Sequence, residues 1–165
     1  MVDATRTGPM YLLSTGTHTE WTWRSAHVPD TTLPDGYRCG YTGRSGVDRN
    51  CAVEPLLTAG YAVGGLAMNG SVRMGPQTLD LTIGHLQLAT AAAVTGATVQ
   101  FSTDGGATWQ EASVTGAGDG RYRATFTATA DPWARDATVS LRITATDAAG
   151  GQLAETTSRA YRLIR

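Results

Sequence analysis

The sequence of 165 residues contains no lysine and few charged residues, which make up 16% of it. All 13 basic residues are arginines, scattered singly from Arg6 to Arg165, and the formal net charge is −1. Recognition of nucleic acid or anionic lipid depends on clustered positive charge. We therefore expect no nucleic-acid partner and no membrane partner.

Cysteine is also scarce, since only Cys39 and Cys51 are present, in the Gly-rich stretch YRCGYTGRSGVDRNCAVEP. Few other groups in this stretch can order the backbone, so we predict that the two cysteines form a disulfide. No CxxC motif accompanies them, and a pair of free or metal-binding thiols is the alternative. Disulfides persist in oxidising compartments, so the pairing predicts a secreted, extracellular protein.

Long apolar runs are missing, and none approaches the roughly 20 residues of a membrane-spanning helix. Residues 1–11, MVDATRTGPMY, lack the charged start and the apolar stretch of a secretory signal peptide. Export without such a signal predicts that the chain is a fragment of a longer protein.

Glycine is plentiful, at 20 positions, and short alternating runs follow one another from residue 76 onward. The runs are TLDLTIGHL, ATVQFSTD, ATWQEASV, RYRATFTAT, ATVSLRITATD and TTSRAYRLI. In VSLRITA (139–145) and YRATFTA (122–128), every second residue is apolar, which predicts one face in the core and one in water. Short strands with Gly- or Asp-rich turns are typical of a β-sandwich.

Residues 1–73 are less regular, with strands predicted at PMYLLST, HTEWTWRSA and AGYAVGGLAM. Three strands with a long loop make a poor independent domain. We expect this segment either to pack Trp21 and Trp23, which share a strand face, against the sandwich or to be the tail of an upstream β domain. The predicted fold is all-β and helix-free, with an irregular disulfide-containing β segment (1–73) before an immunoglobulin-like antiparallel β-sandwich (74–165), and a boundary near residues 69–77.

The stretch STDGGATW fits the pattern Ser-x-Asp-x-Gly-x-Thr-Trp, which is similar to the Asp box of sialidase propellers and of many unrelated β domains. It predicts a structural turn, in which the Ser102 and Asp104 side chains form hydrogen bonds with turn amides and Gly106 permits positive φ. Thr108 and Trp109 complete the motif, with Trp109 packed beneath the hairpin. A sialidase propeller needs several blades with repeated boxes, so a single box in this length excludes one.

Sites of catalysis and metal binding find little support in the sequence. GRSG at 43–46 misses the GxSxG motif by one position, and Ser14 and His18 are too far apart on a predicted strand for proton transfer. Two metal hypotheses arise, zinc and calcium, on the sets His18, Glu20, His27 and Asp131, Asp136, Asp147. Neither set has a zincin or DxDxDG motif, so we predict polar turn and surface roles, no cofactor and no metal.

Five blocks, taken in order, resemble the C-terminal region of very large secreted subtilisin-like serine proteases of actinobacteria. They are STGTHTEWTWRSAH, CAVEPLLTAGYAV, LDLTIGHLQ, VQFSTDGGATW, and VSLRITATDAAGG with SRAYRL. The resemblance implies a catalytic domain far upstream, followed by accessory β domains of the immunoglobulin-like or fibronectin type III-like kind. The Asp-Ser/Thr-Gly, His-Gly-Thr and Gly-Thr-Ser-Met motifs of such proteases do not occur in the sequence, so no catalytic residue is assigned.

We therefore expect a non-catalytic accessory β domain of a secreted subtilisin-like serine protease, which contributes stability, spacing, or binding of a protein or polysaccharide substrate or surface. Its expected partners are the upstream catalytic and β domains of the same polypeptide.

Two alternatives from other classes remain. A carbohydrate- or cell-wall-binding module would stack sugar rings on tryptophans, namely Trp21, Trp23, Trp109 and Trp133. A free-standing protein-binding or protease-inhibitor domain would present the 39–51 loop with its nearby arginines, Arg38, Arg44 and Arg49. Trp133, in the polar segment ADPWARD, forms with Arg44 and Arg49 the predicted binding surface.

Overall fold

The structure is a computed structural model, and it describes residues 1–28, 30–40, 50–131 and 136–165. Within these ranges the chain forms β-strands and no helix, which confirms the predicted all-β fold. The strands are β1 (Val2–Thr5), β2 (Gly16–Thr22), β3 (Leu57–Val63), β4 (Ser71–Arg73), β5 (Gly75–His85), β6 (Val94–Ser102), β7 (Gln110–Glu111), β8 (Ser113–Gly118), β9 (Arg121–Ala128), β10 (Thr138–Asp147) and β11 (Gln152–Ile164).

These strands form two sheets that pack face to face. Sheet A has the order β1-β2-β11-β10-β6-β7, with β4 pairing β11, and sheet B has the order β3-β5-β9-β8. All pairs are antiparallel except β4 with β11. If β3, β5, β9 and β8 are strands A, B, E and D, and β11, β10 and β6 are G, F and C, the order is that of the constant-type immunoglobulin sandwich. The predicted immunoglobulin-like sandwich is confirmed.

The core between the sheets follows from the alternation in the sequence. In β10, Leu141 and Ile143 are 1% exposed and lie opposite Phe101 and Val99 of β6. Phe101 stacks on Phe126 of sheet B, with ring centroids 4.4 Å apart, so the two sheets are joined by aromatic contact. Each large apolar side chain buried in this way stabilises the fold by about 1.5–3 kcal/mol.

Strands from residues 1–73 extend both sheets. β2 pairs with β11, β1 pairs with β2, and β3 pairs with β5. Without β2, residues 152–158 of β11 would be an edge of sheet A and would expose their backbone hydrogen-bonding groups. Trp21 packs against the core, and its Nε1 donates to the carbonyl oxygen of Leu57 at 2.9 Å, which connects β2 to sheet B.

The segment near the predicted boundary at residues 69–77 is bonded to the end of the chain. The Arg162 amide donates to the Gly70 carbonyl at 2.9 Å, and the Met74 amide donates to that of Ile164 at 2.7 Å. β4 lies between these two bonds and runs parallel to β11. Hydrogen bonds therefore run from this segment into the sandwich.

Three details differ from the sequence prediction. Residues 9–15, PMYLLST, form turns of the β1–β2 connection and no strand, so the strand prediction there is wrong. Strands β1 and β4 were not predicted. β2 ends at Thr22, so Trp23 lies beyond it and is 39% exposed, whereas Trp21 is partly buried.

Candidate functional site

The turn at residues 102–109 is built on two side chains. The Ser102 hydroxyl is buried, donates to Asp104 Oδ1 at 2.7 Å and accepts the Gly106 amide at 2.9 Å. Asp104 accepts the Thr108 hydroxyl at 2.6 Å and the Thr108 amide at 3.0 Å. These bonds, led by those from Thr108, hold the pKa of Asp104 well below its usual range. The carboxylate is therefore committed to holding the turn together.

Trp109 lies at the end of this turn, and its ring has Gly106 and Arg142 as neighbours. Gly106 has a φ of +95°, and a Cβ placed on it would lie 3.6 Å from the Trp109 ring. The guanidinium carbon of Arg142 lies 4.2 Å from the Trp109 ring centroid, which is cation–π geometry. Arg142 also donates to Gln100 Oε1 at 3.2 Å. One face of the Trp109 ring is thus occupied by Arg142.

His18, which the zinc hypothesis named, lies between two carboxylates on the surface. Its Nδ1 is 2.5 Å from Asp3 Oδ1, and its Nε2 is 3.2 Å from Glu20 Oε1. The hydrogen bonds with Asp3 and then Glu20 raise the pKa of His18. In the described ranges, no group of three His, Cys, Asp or Glu side chains is arranged to hold a metal ion.

His85 and Asp147 form a buried pair that no motif in the sequence indicates. His85 Nε2 lies 3.0 Å from Asp147 Oδ2, while Asp147 Oδ1 accepts the amides of Ala149 at 2.9 Å and Gly151 at 2.7 Å. Burial raises the pKa of Asp147, but the hydrogen bonds with His85, Gly151 and Ala149 outweigh it, so the net shift is downward. The pair fastens the end of β5 to the β10–β11 hairpin.

The predicted disulfide between Cys39 and Cys51 is confirmed, with the two Cα atoms 5.9 Å apart. Cys51 lines a groove of about 510 Å³, to which Arg24, His27 and Glu54 also contribute. Arg38 is exposed. The other predicted binding residues, Trp133, Arg44 and Arg49, lie outside the described residues, so that surface and the inhibitor alternative stay predictions.

Glu54, at this groove, accepts two hydrogen bonds from the segment after β2. Trp23 donates from Nε1 to Glu54 Oε2 at 2.9 Å, and Ser25 donates from its hydroxyl to Oε1 at 2.5 Å. The carboxylate therefore fixes the edge of the Trp23 ring next to the groove.

A cleft between β2–β11 and β3, here called the Glu155 cleft, was not found from the sequence. It has a volume of about 200 Å³ and is lined by Trp21, Leu56, Leu57, Thr58, Ala59, Leu86, Leu153 and Glu155. The Glu155 carboxylate accepts the Thr19 hydroxyl at 3.4 Å. Burial raises the pKa of Glu155 although hydrogen bonds with Thr19 and Tyr61 oppose the shift. The sequence feature that could have indicated this cleft is the run LAETT of β11, in which Glu155 occupies a position that faces the other sheet.

One end of the sandwich carries exposed apolar residues on two loops, here called the apolar end. They are Met10, Tyr11, Leu12, Leu66 and Met68. The two loops are in contact, since the Leu13 side chain occupies the space where a Cβ on Gly70 would lie. Arg159 donates from Nε to the Leu12 carbonyl at 3.0 Å and holds the first loop on β11.

Within the described ranges, no helix has the length and apolar character that crossing a membrane requires. No family model matches the chain, and no curated protein matches it. The function of the chain is therefore inferred from the geometry of these sites and from the sequence blocks described above.

Proposed function

We propose that the chain is a non-catalytic accessory β domain of a secreted subtilisin-like serine protease, and that its apolar end docks onto another domain of the same polypeptide. The observation that carries this proposal is the exposure of large apolar side chains on both loops, with Met10 88% and Met68 108% exposed. Exposed apolar side chains concentrated at one end of a domain mark an interaction site. Methionine and tyrosine are enriched in such interfaces.

Two arginines share one aspartate at the rim of the apolar end. Asp136 pairs with Arg159 and lies 3.9 Å from Arg162, so one carboxylate serves two guanidinium groups. A partner surface with an apolar centre and acidic residues around it would complement this arrangement. We therefore expect the partner domain to present an apolar surface with acidic residues around it.

A covalently linked domain is the partner that we propose, because the sequence blocks resemble a region that follows other domains in one long chain. Linkage raises the effective concentration of a partner to the millimolar range, so a small interface is sufficient. Interfaces between domains of one chain typically bury about 600–1,500 Å². The disulfide is compatible with the oxidising surroundings of a secreted protein.

The docking role can be tested by mixing this chain with the remaining part of the parent polypeptide and measuring binding by calorimetry. We expect Met10→Ser combined with Met68→Ser to weaken binding at least tenfold. The control is Leu88→Ser, which alters an apolar residue that is 44% exposed and lies outside the apolar end. Absence of binding by the unaltered chain, or equal binding by the double variant, would contradict the docking role.

A carbohydrate-binding module is the second candidate, favoured by Trp23. Its ring is partly exposed, and Glu54 holds its edge beside the groove of about 510 Å³. Aromatic rings held at the edge of a groove can stack on sugars. Titration of soluble polysaccharides against tryptophan fluorescence tests this candidate: it predicts a saturable change that Trp23→Ala abolishes and Trp109→Phe retains.

A further inference from the structure

We propose that the Glu155 cleft binds an alkylammonium group, carried by a lysine side chain of a polypeptide or by a free aliphatic amine. In this arrangement Glu155 accepts the ammonium, and Trp21, Leu57 and Leu153 contact the alkyl chain. The inference does not depend on docking through the apolar end, which involves different residues.

The strand faces that form the cleft change from apolar to polar, and Glu155 is the lining residue of β11 at the polar side, next to further polar residues outside the lining. Trp21 lies opposite Leu153 in the β2–β11 pair, Thr19 lies opposite Glu155, and Thr17 lies opposite Thr157. On the β3 side, Leu57 is buried at the apolar end. Tyr61 of β3, whose hydroxyl is 3.1 Å from that of Thr157, lies at the polar end. A ligand that is apolar at one end and polar at the other matches this gradient.

The apolar end of the cleft is preorganised. Trp21 is fixed because its Nε1 donates to the Leu57 carbonyl at 2.9 Å, so its indole ring cannot turn freely away from the cleft. Indole rings attract cations through their electron-rich faces as well as contacting alkyl chains. Preorganised side chains lower the ordering cost of binding.

The polar end holds a carboxylate with no cation beside it. Glu155 is partly buried, its partners are the hydroxyls of Thr19 and Tyr61, and in the part of the chain that the structure describes no arginine or histidine pairs with it. A carboxylate removed from water is stabilised by an opposite charge that also donates hydrogen bonds. An ammonium group supplies both, whereas an anionic ligand would be repelled.

The size of the cleft limits the ligand. Its volume of about 200 Å³ is below the range of roughly 300–1,000 Å³ typical of sites for drug-sized molecules. It corresponds to the space of about seven waters at roughly 30 Å³ each. A single alkyl chain of a few carbons with an ammonium group fits this space, and an oligosaccharide does not.

The test uses pentylamine as the probe, added to the whole chain at about 1–100 mM, the range expected for so small a ligand. The readout is the NMR signal of the Trp21 indole N–H, identified by its loss in Trp21→Phe. We expect saturable shifts with pentylamine, and at least tenfold weaker binding of pentanol and pentanoate. Equal binding of pentanol or pentanoate, or no shift with pentylamine, would overturn the proposal.

Glu155→Gln provides the variant arm, with Glu111→Gln as its control, because Glu111 accepts the Gln100 amide on another strand pair. We expect Glu155→Gln to weaken pentylamine binding at least tenfold and Glu111→Gln to leave it unchanged. Unchanged binding by Glu155→Gln would overturn the proposal. The unaltered chain gives a measurement that needs no variant: binding must weaken as the pH falls and Glu155 becomes protonated.

The source of the ammonium group is decided by a second probe, Nα-acetyl-lysine methylamide. Binding at least tenfold tighter than that of pentylamine assigns the cleft to a polypeptide lysine, since the flanking amide groups then contribute. Tighter binding of pentylamine assigns it to a free amine.

Discussion

His85 Nε2 lies 3.0 Å from Asp147 Oδ2, and the two side chains are only 5% and 2% exposed. Asp147 also accepts the amides of Ala149 and Gly151, so one carboxylate satisfies groups from β5 and from the β10–β11 hairpin. A Cβ on Gly151 would collide with the Asp147 carboxylate, which explains the glycine at this position. The pair connects sheet B to sheet A at one end of the sandwich.

Removal of this carboxylate is predicted to destabilise the fold. Asp147→Ala leaves two amides and an imidazole without their acceptor in a buried place, which costs about 2–3 kcal/mol. Urea unfolding at pH 7 measures the change. The control is Asp119→Asn, because the Asp119 side chain is 90% exposed and asparagine tolerates its φ of +51°. Equal losses from the two variants would contradict the structural role of Asp147.

The same carboxylate predicts an acid-sensitive contribution to stability. The folded-state pKa of Asp147 is lowered, so its contribution is complete above the unfolded-state pKa of about 3.9 and is lost as the pH falls through the folded-state value. Asp147→Asn removes this dependence. We expect the stability difference between the unaltered chain and Asp147→Asn to shrink as the pH is lowered from 6 to about 2. A stability difference that stays constant over this interval would contradict the acid-sensitive contribution of Asp147.

The contribution of Glu155 to stability is predicted to depend on pH in the opposite direction to that of Asp147. Its pKa is raised in the folded state, so its favourable contribution holds below the unfolded-state pKa and is lost as the pH rises through the folded-state value. Since the side chain is only partly buried, the effect is a few tenths of a kcal/mol. Thermal unfolding should show Glu155→Gln to be slightly more stable than the unaltered chain at pH 7 but not at pH 4, with Glu111→Gln unchanged at both.

Two tyrosines provide a matched test of buried hydrogen bonding. Tyr161 is 1% exposed, and its hydroxyl finds no hydrogen-bond partner within the described ranges. Its burial raises the pKa of the phenol. Tyr161→Phe removes an unsatisfied polar group and should stabilise the fold by about 1 kcal/mol. Tyr61→Phe should give no gain, because the Tyr61 hydroxyl is bonded to Thr157. The free energies of unfolding of both variants decide the matter.

Loss of the disulfide is predicted to lower stability by about 3 kcal/mol, from the chain entropy of a loop with a sequence separation of 12. Cys39→Ser combined with Cys51→Ser should match the reduced protein in urea unfolding. A reductant should then have no effect on the double variant. Two alkylatable thiols in unreduced protein would show that the pairing does not form in solution.

The sequence predicted the sandwich because its signals are local. In β10, an apolar residue at every second position from Val139 to Ala145 faces the core, as the alternation requires. In contrast, β1 and β4 have no such pattern. β1 forms only by pairing with β2, and β4 forms only by pairing with β11, the last strand of the chain. Segment 9–15 is apolar but forms turns, with Gly8 and Ser14 in the left-handed region of φ.

The Glu155 cleft could not be predicted for a similar reason. Its residues come from β2, β11, β3 with the preceding Leu56, and Leu86 after β5. These segments are separated widely in sequence and meet only through the order of the strands in the sheets. The alternation placed Leu153, Glu155 and Thr157 on one face of β11. Whether that face looks toward water or toward β3 depends on tertiary structure, so the partly buried carboxyl was not expected.

The most direct test of the proposed function is the sequence of the complete reading frame that encodes this chain. We predict that the frame continues far upstream of Val2 and encodes the three subtilisin motifs, Asp-Ser/Thr-Gly, His-Gly-Thr and Gly-Thr-Ser-Met, in a secreted polypeptide. A frame that opens shortly before Val2, or one that continues without those motifs, would contradict the assignment as an accessory domain of a subtilisin-like protease.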